Sequence, residues 1–167
     1  MARAMDVADE IITLAQRENN PVSNLKLQKM MYFLNALSLV LRNKPLIDDQ
    51  DFEKWDYGPV IHSVYTEYSI NGRNVITKPE EHLSFKSDEN GLLSPIRKNF
   101  DENDLTQEER DFIWQNMNMF LKYSASQLVN FSHRETQWKN KVPYTYSNQD
   151  TREFYSLKAN KFWEKEF

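Results

Sequence analysis

Three histidines, His62, His82 and His133, are the imidazoles this chain has for acid–base or metal chemistry. They lie too far apart in sequence to form a local ligand motif, and His133 beside Arg134 and Glu135 reads as a solvated helix position. Carboxylates gather twice, at Asp48, Asp49 and Asp51 and again at Asp101, Glu102 and Asp104. Such runs usually form solvated faces, and the functional alternative is an acidic surface complementary to a basic partner. With no cysteine, thiol catalysis, disulfides and cysteine-bearing zinc sites are excluded. The chain's 3 glycines are scattered, so no phosphate-cradling loop, dinucleotide fingerprint or nucleophile elbow can be assembled. No cofactor or metal is expected. The enzymatic alternative is a polar pocket near Lys29, Tyr57 and His62.

The elements that must position these groups are mostly helical. A first helix spans about Asp6 to Arg17, with Val7, Ile11, Leu14 and Ala15 at helical spacing, and Pro21 stops it. The second, in "SNLKLQKMMYFLNALSLVLRNKP", has Ser23 as its N-cap and Pro45 as its stop. It is apolar nearly all round, with Leu27, Met30, Met31, Leu34, Ser38 and Leu41 on one face, so it belongs in the middle of the domain. Lys26 and Lys29 sit near its N-terminus, where the macrodipole disfavours cations by about 0.3–1 kcal/mol each. Their stems are expected to carry the charges past the core to solvent, or else to serve a contact surface.

The stretch "FEKWDYGPVIHSVYTEY" reads as a short strand over about 51–57 and then a helix with Pro59 in its first turn and Val60, Ile61, Val64, Tyr65 and Tyr68 along it. Gly58 is then the joint between them. Residues 69–99 read as turn and loop, with one short strand at 82–86. Thr106 and Glu109 form a capping-box pattern, and Ser124 or Ser126 caps a further helix. The tail 151–167 reads as an aromatic-rich helix that could anchor an interface through Trp163 and its neighbours, including Phe162 and Phe167.

The whole is expected to be one mainly α (α+β) domain over residues 1–167, with a small β element near 51–57 and 82–86. Hydrophobic residues at 40%, charged residues at 28% and 167 residues in all suit a single core. The net charge of −4 argues against nucleic-acid binding and leaves a basic protein partner open. The N-terminus lacks the pattern of a signal peptide and the most apolar run is too short for a membrane span, so a cytoplasmic setting is expected.

Two motifs in order, "SNLKLQKMMYFLNAL" and "FEKWDYGPVIHSVYTEY", resemble the Panacea domain, or SocA-like antitoxin family, including the phage-associated GepA-type proteins of that grouping. A later tryptophan, Trp138 in "SHRETQWKN", is also similar, and the likeness runs over roughly Val7 to Trp138. The family-like positions are Leu25, Lys26, Leu27, Gln28, Lys29, Tyr32, Trp55, Tyr57, Gly58, Pro59, Val60, Tyr65 and Trp138. The resemblance implies an antitoxin that binds a cognate protein toxin directly, without catalysis. In a variant of that role, the domain delivers its toxin to an ATP-dependent protease. Lys26, Gln28, Lys29, Tyr57 and Trp163 are the candidate partner-binding residues, and no nucleic-acid or membrane partner is expected.

Overall fold

The computed structural model describes residues 1–165. Its centre is α2 (Asn24–Arg42), against which α1 (Ala4–Arg17), α3 (His62–Tyr68), α5 (Asn118–Leu121), α6 (Ala125–Ser132) and α8 (Asn148–Ser156) pack. The fold is mainly helical α+β, as the sequence indicates. Ser23 caps α2 by accepting the Lys26 N–H, and Asn43 ends it in the left-handed region at φ 55°. Two of the buried polar residues of this helix tie down the chain that follows. Asn35 Oδ1 accepts the N–H groups of Leu46 and Ile47, and Ser38 Oγ donates to the Lys44 carbonyl. Leu41, assigned to the buried face, lies exposed in the last turn. The first helix begins at Ala4 because a distant side chain, Asp49, accepts the Ala4 N–H.

Among the described residues there are three sheets, each two-stranded. β1 (Val22–Ser23) pairs with β4 (Val75–Ile76), and β2 (Glu53–Trp55) with β3 (Gly58–Val60). β5 (His82–Ser87) pairs with β6 (Leu93–Lys98). The expectation of a strand-to-helix joint at Gly58 is therefore corrected. Gly58, at φ +92°, pairs with Trp55 and closes a hairpin around Asp56 and Tyr57. Pro59 and Val60 continue as strand, and α3 starts only at His62 after Ile61. Proline is tolerated here because β3 is an edge strand. Glycine is needed twice over: for the positive φ, and because a Cβ would meet Ser132 Oγ at 2.3 Å.

A second correction concerns 69–99, where β6 turns the expected lone strand into a hairpin. α4 (Gln107–Asn116) carries the Thr106–Glu109 capping box, and α6 carries another between Ser124 and Gln127. α7 (Thr136–Lys139) follows. The tail helix α8 begins at Asn148 and ends at Ser156, after which two short 3-10 turns replace the expected continuation. Phe162 and Trp163 turn inward, where Phe162 stacks on Phe131 at 3.9 Å and Trp163 packs edge-on against Phe120. Phe167 lies outside the described residues. No helix of the described residues is long and apolar enough to cross a membrane.

Candidate functional site

The N-terminus of α2, the β2–β3 hairpin and α3 enclose a groove of about 880 Å³. Leu25, Gln28, Trp55, Tyr57, Val60 and Tyr65 line it, together with Arg73 and Tyr144. Its frame is held by side chains from distant parts of the chain. Gln28 is buried, accepting the Ile61 N–H at 3.0 Å and donating to Asn24 at 3.2 Å. Lys29, with no exposure at all, donates to the Pro59 carbonyl at 2.8 Å. Burial pushes its ammonium down to about 7. Lys26 is half-buried and donates to the carbonyl of Leu121, the last residue of α5, at 2.6 Å; burial lowers its pKa too. These two lysines thus satisfy main-chain carbonyls of β3 and α5, Lys29 wholly and Lys26 partly withdrawn from solvent, which corrects the expectation of a solvent-reaching charge for Lys29.

The aromatic corner is fixed just as firmly. The Trp138 indole donates to the Trp55 carbonyl at 2.9 Å, and Lys54 N–H donates to Tyr144 O at 2.8 Å. The Trp55 ring meets Tyr65 edge-on at 4.9 Å. The Tyr57 ring, at the hairpin tip, is 66% exposed. Of the proposed contact residues, Tyr57 is therefore presented to solvent, whereas Gln28, Lys29 and Trp163 are enclosed. Lys29, Tyr57 and His62 do not converge, for Lys29 is sealed under the hairpin and the exposed His62 faces Glu53 at 4.0 Å.

Two buried polar clusters escaped sequence reading. Glu135, noted in the sequence only as a neighbour of His133, is fully buried. It accepts from Tyr32 at 2.5 Å, Tyr155 at 2.9 Å and Gln137 at 3.1 Å. Burial pushes its carboxyl up to about 7 against the opposing effect of those donors. His133 is half-buried and stacked on Trp138 at 3.7 Å, so it departs from the solvated expectation. The second cluster joins Asp9, Tyr68, His82 and Glu67. His82 Nε2 lies 2.6 Å from Asp9 and Nδ1 lies 3.0 Å from Glu67, while the Tyr68 hydroxyl donates to Asp9. Burial opposes charge on His82, yet the two carboxylates outweigh it and raise its pKa. Burial pushes Asp9 up to about 6, although Tyr68 and His82 pull the other way. Among the described residues, no three His, Cys, Asp or Glu side chains form a group able to hold a metal ion. Neither cluster left a local signal, since each gathers residues from three or more elements.

Residues 27–139 match the family described as antitoxin SocA-like, Panacea domain. The chain belongs to this SocA-like Panacea family. Antitoxin SocA of Caulobacter vibrioides (strain NA1000 / CB15N) is 33% identical over 130 residues, covering 78% of this chain. The aligned part is 64% of that relative's length, so this chain spans less than two thirds of it. No solved structure matches the chain significantly. The matched range begins inside α2, so α1 lies before it. It takes in Trp55, Tyr57, Tyr65 and Trp138 of the aromatic corner, as well as Lys29 and Gln28 beneath it. In this Panacea protein, then, the family-like positions divide into an inner frame and an outer aromatic wall.

Proposed function

We propose that this Panacea-family chain is the antitoxin of a toxin–antitoxin pair and neutralises a cognate protein toxin by direct contact, without catalysis. The observation that carries this is the groove itself. Family-like residues build it from both sides, and it presents Tyr57 and Trp55 on the hairpin with Tyr65 of α3 packed edge-on against Trp55. Exposed aromatics on a fixed backbone supply large contact area at little entropic cost, which is how interface anchors work. Arg73 in the groove lining adds a cation able to hold a carboxylate of the partner. The toxin is occluded by this contact.

Co-expression with the product of the neighbouring reading frame tests the reading. Growth should be rescued by the parent chain and not by Tyr57→Ala made together with Tyr144→Ala. Full rescue by that double variant would remove the groove from the mechanism. Toxin half-life should stay unchanged during rescue; shortening would instead mark delivery to an ATP-dependent protease.

A further inference from the structure

The β5–β6 ribbon stands apart from the groove and shares no lining residue with it. Its register places Leu83 opposite Arg97, Phe85 opposite Pro95, and Ser87 opposite Leu93, all on one face. Leu83 is 68% exposed, Phe85 59% and Leu93 63%. The other face carries His82 opposite Lys98, Ser84 opposite Ile96, and Lys86 opposite Ser94. Neither strand contains a single acidic residue; Asp88 and Glu89 belong to the turn. Tethers to the body lie at the base, where His82 meets Asp9 and Glu67 and Lys98 pairs with Asp104. Among the described residues, Lys86 and Arg97 have no ion-pair partner, and no third strand pairs with the ribbon.

A two-stranded ribbon with one apolar face bare is marginal by itself in water. Its two edges are unequal. β6 is blunted by Pro95, which has no N–H to offer, whereas β5 has no proline and leaves an open edge. We propose that β5 takes up a strand of a partner protein whose residues alternate between apolar and acidic. The apolar side chains extend the Leu83–Phe85 face, and the carboxylates lie alongside Lys86 on the other. The backbone ladder holds the strand, and the alternation selects it.

A second copy of this chain fits less well. The antiparallel self-pairing that sets Leu83 opposite Phe85 also sets Lys86 opposite His82, a ring already committed to Asp9 and Glu67. Lys86 then gains no carboxylate.

The probe is a short labelled peptide alternating valine with glutamate, compared with its valine–lysine counterpart, each titrated into the full chain. The glutamate peptide should bind saturably and slow amide hydrogen exchange over 82–87. The lysine peptide should bind at least about tenfold more weakly, and Lys86→Glu should reverse that preference. Phe85→Ser should weaken binding by a similar factor at an unchanged melting temperature, while Tyr57→Ala should leave it as in the parent. The last comparison separates this surface from the groove, so either can fail alone. Absence of saturable binding, equal binding of both peptides, or protection at the groove instead of β5 would overturn the proposal. So would a concentration-dependent dimer that Phe85→Ser dissolves, which would give the ribbon to a second copy.

Discussion

Lys29 and Glu135 are both buried ionisable groups, and their shifted pKa values act on stability in opposite directions. Glu135 is pushed from an ordinary 4.5 to about 7, so the folded state holds its proton more tightly than the unfolded chain. The stability this contributes is complete below about 4.5 and is lost as pH rises through about 7. Lys29 is pushed from 10.5 down to about 7, and its contribution is complete above about 10.5 and lost as pH falls through about 7. Each single-proton linkage has a limiting slope of about 1.4 kcal/mol per pH unit. Glu135→Gln should therefore flatten the fall in urea-unfolding free energy between pH 5 and 7, and Lys29→Met should flatten the rise between pH 7.5 and 10. Unchanged slopes in both variants would show that neither group titrates as its burial implies. At this scale the sequence was legible for caps and little else. Ser23, Thr106 and Ser124 bond within three residues of themselves. By contrast, Lys29 finds its partner 30 residues away and Glu135 meets Tyr32 across 103.

Among the elements, the β2–β3 hairpin does most to shape the site. Gly58 permits it through positive φ and through close approach to α6. Gly58→Ala should cost about 2–4 kcal/mol, combining left-handed strain with overpacking against Ser132, and should lower the melting temperature measurably. A drop no larger than that of an ordinary surface substitution would contradict the hairpin geometry. Thr106→Ala should cost about 1 kcal/mol through loss of the α4 cap, read from the same melts. Long helices were legible because their apolar spacing persists over several turns, as in α1 and α2. The hairpin was not, because Gly-Pro is compatible both with a helix start and with an edge strand, and only pairing with Trp55 decides between them. β6 was missed for a related reason: Pro95 and the adjacent Leu92 and Leu93 break the alternation that marks a strand.

Across the whole molecule, the family-like residues lie on either side of one wall. Lys29, Gln28 and Tyr32 stand inside it, while Tyr57, Tyr65 and Trp55 form its outer surface. The sequence revealed these positions but not that division, which depends on how deeply the hairpin seats against α2 and α6. It follows that changes inside the wall should act through stability, and changes outside it through partner binding. The most direct measurement is a titration of the purified chain with the purified product of the neighbouring gene, comparing the parent with Tyr57→Ala. An antitoxin that works through this groove should form a complex that Tyr57→Ala weakens at least about tenfold while its melting temperature stays unchanged. No complex with the parent, or equal affinity in the two proteins, would contradict it.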